Sequence, residues 1–262
     1  MNGKFYDKVA RKFGSYSRSI ATLDEYSTQD PEKVFKEMLI KIGGKNKNAL
    51  DIGCADGNFT IKVSKYFKNI TGIDISKEML KVACKNQETA GNLNVTFLKQ
   101  SVFRNNLQPE SFDIIYNRRG PTNYPSFYSL LRTGGYYLEI GIGENDCRKI
   151  KEIFGRGQGY KKWGRSTLQK DIKELKKIGF QIVMSENYFY NEYYPSYDEL
   201  DVFLQGVPIF EDFDSTKDRK FLLQYQTEFQ GKKGIKLPRH RIVILAKRMD
   251  DNAGTGINWR KK

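Results

Sequence analysis

Along this chain, short apolar runs that suit buried strands alternate with stretches whose apolar residues recur every three or four positions. The runs fall at residues 49–52, 70–73, 95–98, 111–117, 136–142, 180–184 and 241–246. Helical spacing covers 25–42 (Val34, Phe35, Met38, Leu39, Ile42), 58–67, the stretch after Ser76 (Met79, Leu80, Ala83) and 166–178 (Leu168, Ile172, Leu175, Ile178). Side chains repeat every second residue in a strand and every 3.6 in a helix, so each spacing names its element. Strands taken in turn with helices predict an α/β fold with a doubly wound, mostly parallel seven-stranded sheet. Between the last two strands lie about 50 residues, far more than a hairpin turn needs. That insertion, placed at 189–236, is rich in Tyr and Phe and is expected to be a helical lid over a substrate.

The first βαβ unit carries the strongest chemical signal. Its first strand runs into Asp51-Ile52-Gly53-Cys54-Ala55-Asp56-Gly57, and its second ends in Asp74, 21 residues after Gly53. Gly53 and Gly57 let backbone approach a ligand where a Cβ would intrude. An acidic residue at the end of the second strand suits a pair of ribose hydroxyls. A dinucleotide turn reads G-x-G-x-x-G and draws a pyrophosphate onto the helix N-terminus. The spacing here is D-x-G-x-x-x-G, and the carboxylates of Asp51 and Asp56 would repel a pyrophosphate. They suit a ligand with an ammonium and a sulfonium, which is S-adenosylmethionine.

From this point the chain resembles the class I S-adenosylmethionine-dependent methyltransferases, in the type 11, ubiquinone/menaquinone-biosynthesis-like branch. Their cofactor turn is D-x-G-x-G-x-G, and Ala55 stands at its middle glycine. The likeness continues through Ile73-Asp74-Ile75-Ser76, through Ser111-Phe112-Asp113-Ile114-Ile115, and through the Leu131-Arg132-Thr133-Gly134-Gly135 turn, where Thr133 replaces a common proline. It covers 45–145 well and implies an antiparallel last strand. It implies that Asp74 holds the ribose, that Ile75 packs on the adenine, and that Ser101, followed by Val102, meets the adenine amino group. The Tyr6-Asp7 … Ala10 … Phe13 segment resembles a lead-in that closes over the cofactor and brings Tyr16 to it. The implied cofactor set is Tyr16, Asp51, Gly53, Ala55, Gly57, Asp74, Ile75, Met79, Ser101, Val102 and Asn117.

The chemistry asks the protein to position a nucleophile and exclude water. Ligands of such sheets sit beyond the carboxyl ends of the strands. That places Asn117, Arg118 and Tyr124 after the fourth strand, and Glu144 after the fifth, as candidate catalytic residues. Asn117-Arg118-Arg119-Gly120-Pro121 is not the N-P-P-Y run of enzymes that methylate base or glutamine nitrogens. Arg118 and Arg119 suit an acidic acceptor or a phosphate, or else a salt bridge to a neighbouring helix.

Charge leaves a second class of acceptor open. The net charge is +14; residues 144–182 hold 11 Lys/Arg against 5 Asp/Glu, whereas 196–218 holds 7 acids against Lys217 alone. A basic face suits RNA, and an acidic lid opposes it. The expected acceptor is therefore a small molecule, anionic or aromatic, with RNA as the alternative and a non-catalytic cofactor-binding protein as a third reading. Three widely spaced cysteines, read as buried packing residues, and the single His240 build no zinc pattern, so no metal is expected. No apolar stretch reaches the ~18 residues of a membrane span, and no secretory h-region opens the chain. Both point to a cytoplasmic protein with no membrane partner. The organisation expected is one domain over 1–262: an N-terminal helical cap (1–44), a cofactor-binding core (45–145), the lid insertion and a flexible tail (250–262).

Overall fold

Five parallel strands form one side of the sheet, out to its edge, in a computed structural model that describes residues 3–16, 22–91 and 94–249. In chain order the elements are α1 (Gly3–Phe13), β1 (Leu23–Tyr26), α2 (Pro31–Ile42), β2 (Gly44–Ile52), α3 (Asn58–Val63), β3 (Phe67–Asp74), α4 (Lys77–Ala90), β4 (Val95–Lys99), β5 (Phe112–Arg118) and α5 (Tyr124–Leu130). They continue with β6 (Leu131–Ile142), α6 (Arg148–Phe154), α7 (Thr167–Ile178), β7 (Phe180–Tyr194), α8 (Tyr197–Gln205), α9 (Arg219–Phe229), β8 (Gln230–Gly231) and β9 (Gly234–Arg248). The sheet order is β1-β7-β9-β6-β5-β2-β3-β4, with β8 paired to β9. The run from β6 to β4 is parallel, whereas β9 is antiparallel to both β6 and β7, and β1 is antiparallel to β7. The doubly wound α/β fold and its antiparallel last strand are as expected; among the described residues the strands number nine rather than seven.

Alternation along β2 sorts the core into two layers. Leu50 and Ile52 face α5 and α7 with Phe127, Leu130, Leu168 and Leu175. Ala49 faces the other way, toward Phe35 and Leu39 of α2 and Val63 of α3, as the two-residue repeat of a strand requires. Helix starts follow local chemistry. Asp30 accepts the Glu32 N–H at 2.8 Å ahead of Pro31, and Ser76 accepts the Met79 N–H at 3.1 Å to begin α4, which are N-caps in the usual sense.

Several sequence expectations are corrected. The helix expected over 25–42 is strand β1 followed by α2, because the residue before a proline avoids helical backbone and Leu23–Tyr26 gains ladder bonds from Tyr190–Tyr193 of β7. The N-terminal cap is thus helix, edge strand and helix. The strands expected at 180–184 and 241–246 are 15 residues each and pair along most of their length. Residues 189–194 and 234–236 therefore belong to the sheet, and the insertion proper lies between them. It has its own core of Leu200, Leu204, Phe210, Phe213, Leu222 and Tyr225 against Ile150 and Phe154 of α6. The glycine-rich stretch after α6 is bound to this insertion: Gln158 N–H donates to the Ile209 carbonyl at 2.8 Å, and Arg156 pairs with Asp218 at 2.9 Å and Asp212 at 3.3 Å. Cys54 and Cys147 are buried, but Cys84 is exposed. The tail at 250–262 lies outside the described residues. No helix among the described residues is long and apolar enough to cross a membrane.

Candidate functional site

The parallel strands bring their carboxyl ends to one edge, where β2 aligns Ile52 with Ile73 of β3 and with Asn117 of β5. The cavity at this edge is lined by Gly53, Ala55, Ile73, Asp74, Ile75, Gln100, Ser101, Val102, Phe103, Arg118, Arg119, Gly120 and Pro121, and by Tyr6 and Tyr16 from the N-terminal segment. A ligand site at the carboxyl ends of an open parallel sheet is where such folds hold small molecules.

The loop after β2 is held open by its own backbone. Gly53 and Cys54 donate N–H bonds to the Ile73 carbonyl at 2.9 and 3.1 Å. Ala55 takes a left-handed φ of 47°, a conformation that costs an alanine energy and that a glycine would adopt freely. Its N–H donates to Asp74 Oδ2 at 3.0 Å, while Ser76 N–H donates to Oδ1 at 2.8 Å. Asp74 thus joins the loop to the start of α4 while keeping lone pairs toward the cavity. Burial raises its carboxyl above the ordinary range, against the pull of those N–H donors.

The N-terminal segment is tied across this loop at two points. Asp7 of α1 accepts the Ser76 hydroxyl at 2.6 Å. Asp56 accepts the Ser15 hydroxyl at 2.6 Å and the Tyr16 N–H at 3.0 Å. Phe5, Val9 and Ala10 of α1 pack on Met79. Met79 is therefore a support beneath α1 and does not line the cavity.

Of the other expected cofactor residues, Tyr16, Gly53, Ala55, Asp74, Ile75, Ser101 and Val102 line the cavity. Asp51 does not. Its side chain points to the α3 face, accepts the Thr60 hydroxyl at 2.6 Å, and burial pushes its carboxyl up to about 6. Gly57 is also away from the cavity: a Cβ there would stand 2.4 Å from Phe97 Cζ and 3.0 Å from Ala83 Cβ. Packing of β4 and α4 requires this glycine, and no ligand need be invoked.

The expected catalytic candidates are mostly occupied by structural bonds. Asn117 is fully buried and closes its own turn, accepting from Gly120 N–H at 2.7 Å and donating to the Pro121 carbonyl at 3.2 Å. Tyr124 donates to Glu139 at 3.2 Å inside the core, beside Tyr137, which donates to the same carboxylate at 2.7 Å. Glu144 accepts the Thr167 N–H at 3.0 Å at the start of α7. Arg118 alone of these lines the cavity. It and Arg119 both pair with Glu32 on α2, Arg118 at 2.9 Å. Burial would raise the Glu32 carboxyl, but Arg119 and Arg118 outweigh it and bring it down to about 2. Sequence reasoning missed Glu32, Gln100 and Phe103. Gln100 directly precedes Ser101 at the end of β4, a signal that could have found it; for Glu32 there was none, because its partners lie 86 and 87 residues away.

No group of three or more His, Cys, Asp or Glu side chains among the described residues could hold a metal ion. None of the insertion lines the cavity either, so the residues expected to form a lid over the acceptor reach it only through α1. There Lys12 bonds Gln205, and Phe213, Asp214 and Ser215 face Lys8 and Val9.

A family model described as a methyltransferase domain matches residues 44–153. A demethylmenaquinone methyltransferase of Staphylococcus aureus (strain MRSA252) is 29% identical over 140 residues, which are 52% of this chain and 57% of that protein. The chain thus spans little more than half the length of the curated relatives it matches. Among solved structures, a functionally unknown protein from Deinococcus radiodurans R1 superposes with a TM-score of 0.61 at 18% identity, covering 94% of this chain and 100% of that one. A putative methyltransferase from Bacillus halodurans C-125 gives 0.60 at 17% identity, covering 82% and 99%. At such identities the superpositions speak for the fold.

Proposed function

We propose that this chain, whose residues 44–153 match a methyltransferase-domain family model, is a class I S-adenosylmethionine-dependent methyltransferase that moves a methyl group from S-adenosylmethionine to a small-molecule acceptor, anionic or aromatic, by direct in-line displacement. The observation that carries this reading is the meeting of Gly53 and Asp74 on one cavity wall. Gly53 has a φ of 71°, and its nearest neighbour on the Cβ side is Gly120 Cα at 3.6 Å, so a ligand can lie against bare backbone. Asp74 would hold the ribose hydroxyls, Ile73, Ile75 and Val102 would enclose the adenine, and Ser101 or Gln100 would meet its edge. When bound, the cofactor supplies an electrophilic methyl on sulfur. The chain's own part is to hold the acceptor beyond β5 and exclude water, with Tyr6 and Tyr16 covering the site.

An aromatic acceptor finds support in Tyr6, Tyr16 and Phe103 on the wall, and an anionic one in Arg118 and Arg119. RNA finds less, since no residue of the basic segment 144–182 lines the cavity. Calorimetry tests the cofactor directly. S-Adenosylhomocysteine should bind and NAD should not, and Asp74→Ala should weaken binding by about 1–3 kcal/mol through loss of charged hydrogen bonds. Tight NAD binding, or no heat with S-adenosylhomocysteine, would overturn the assignment.

A further inference from the structure

The arginines beyond β5 are out of balance with their partner. Two guanidiniums share one carboxylate: Glu32 gives Oε2 to Arg118 at 2.9 Å and Oε1 to Arg119. A third guanidinium, Arg241 on β9, is 3% exposed and acts on the same carboxylate through space, while its Nη1 is held by Asp146 at 2.6 Å. The Nε atoms of Arg118 and Arg241 are buried and have no hydrogen-bond partner among the described residues. Buried donors left unmet are costly unless something completes them.

The two sides of this ion cluster also differ in freedom. Arg118 lies over the Phe59 ring, 4.0 Å from its centroid, and the backbone of Arg119 is fixed by its N–H bond to the Ile140 carbonyl at 2.8 Å. Glu32 is on the first turn of α2 with a third of its side chain exposed. Its carboxylate can turn toward water without any movement of α2.

We propose that Arg118 and Arg119 form a subsite for an anionic group on the acceptor, a carboxylate or a phosphate, and that Glu32 is a built-in counter-ion occupying this subsite until the acceptor displaces it. This rests on the methyltransferase reading above. A two-oxygen anion meets both guanidiniums as Glu32 does now. A neutral acceptor cannot compete with Glu32, so the same carboxylate screens the acceptors by charge, a repulsive element of specificity.

The test needs no knowledge of the acceptor. Wild type, Glu32→Gln and Arg119→Gln, each saturated with S-adenosylhomocysteine, are titrated with inorganic phosphate and with benzoate at constant ionic strength. An internal competitor that fills the subsite most of the time lowers apparent affinity by the fraction left open, so Glu32→Gln should bind phosphate about 5–10-fold more tightly, and Arg119→Gln should lose it. Glu32→Asp, whose shorter side chain keeps the charge but spans the pair poorly, carries the same comparison if Glu32→Gln does not fold. Equal anion affinity in wild type and Glu32→Gln, or binding that survives Arg119→Gln, overturns the proposal. So does an Arg119→Gln that weakens S-adenosylhomocysteine but not 5′-methylthioadenosine, because the arginines would then serve the cofactor's own carboxylate. Failure of the wild type to bind S-adenosylhomocysteine sinks the methyltransferase reading itself and is read separately.

Discussion

Two glycines four residues apart in one loop should fail in opposite ways when replaced by alanine. Both have φ near +70°, where an alanine costs roughly 1–2 kcal/mol and recovers about 0.4–1 kcal/mol by restricting the unfolded chain. At Gly53 that is the whole conformational cost, because the nearest atom to a new Cβ is 3.6 Å away. At Gly57 the Cβ would stand 2.4 Å from Phe97 Cζ and 3.0 Å from Ala83 Cβ. Forcing a methyl into a packed site adds roughly 1–3 kcal/mol. Gly57→Ala should therefore lose about 2–4 kcal/mol, and Gly53→Ala about 1 kcal/mol or less. For a chain of this size the first is a fall in Tm of roughly 5–15 °C. Cofactor binding should respond the other way round: Gly53→Ala weakens S-adenosylhomocysteine, and folded Gly57→Ala keeps it. Urea unfolding gives the stabilities, and calorimetry on the folded proteins gives the affinities. Phe97→Leu, which withdraws the ring, should restore part of the loss in Gly57→Ala, and a double-mutant cycle reads that coupling. Equal stability losses with no coupling to Phe97 would refute the packing argument. A fully stable Gly57→Ala that no longer binds would return Gly57 to the ligand.

Further outcomes are expected elsewhere. Burial pushes the Glu139 carboxyl up to about 7 from an ordinary 4.5, against the lowering pull of Tyr137 and Tyr124, so the folded state keeps this proton to higher pH than the unfolded chain does. The resulting stability is present below about pH 4.5 and is lost as pH rises toward 7. Glu139→Gln should thus gain on wild type across that window, by no more than about 3 kcal/mol, and a difference that does not change with pH would contradict the assignment. Lys173, Lys176 and Lys177 are exposed on α7, and total RNA incubated with radiolabelled cofactor should take up no label. Label that appears, is lost when these three lysines are neutralised, and falls by about 0.7 log unit per log salt for each phosphate contact would make RNA the acceptor.

What the sequence made legible was local. The strand at 49–52 is the inner end of Gly44–Ile52, and that at 70–73 lies within Phe67–Asp74, because apolar runs, a glycine turn and a capping serine each act over a few residues. The edge strand β1 was hidden because its four residues are held by bonds to β7, more than 160 positions away. The length of β7 and β9 was hidden too, since polar Glu186 and Glu192 on one face, and Asn187 and Asn191 on the other, interrupt the apolar pattern. Polar side chains were hardest to place. Asn117, Tyr124 and Glu144 sit where catalysis was expected, yet Asn117 closes its own turn, and Tyr124 and Glu144 are taken up by neighbours that only the folded chain supplies. The motif Asp51 and the lead-in Asp7 are explained by a hydroxyl each, from Thr60 and Ser76, which no spacing rule could assign.

The insertion shows how a compositional signal can be physically real and still point to the wrong place. Its aromatic residues suggested a substrate lid, but Phe203, Phe210, Phe213 and Tyr225 pack against α6 and the extended ends of β7 and β9. Of its acids, Asp218 turns inward to hold Arg156, and the exposed Asp212 pairs with the same guanidinium from outside. What it offers the cavity is a surface for α1, through Gln205, Phe213, Asp214 and Ser215. That helix carries Tyr6 over the cavity and is pinned at Asp7 to α4, while Asp56 pins the turn that presents Tyr16. On this geometry the N-terminal segment lies over the cavity and the insertion packs on its outer side, which makes the first a candidate cover and the second a candidate brace. A brace and a cover predict different losses: weakening the insertion should loosen α1 and, through it, cofactor retention, whereas a lid over the acceptor would leave the cofactor held.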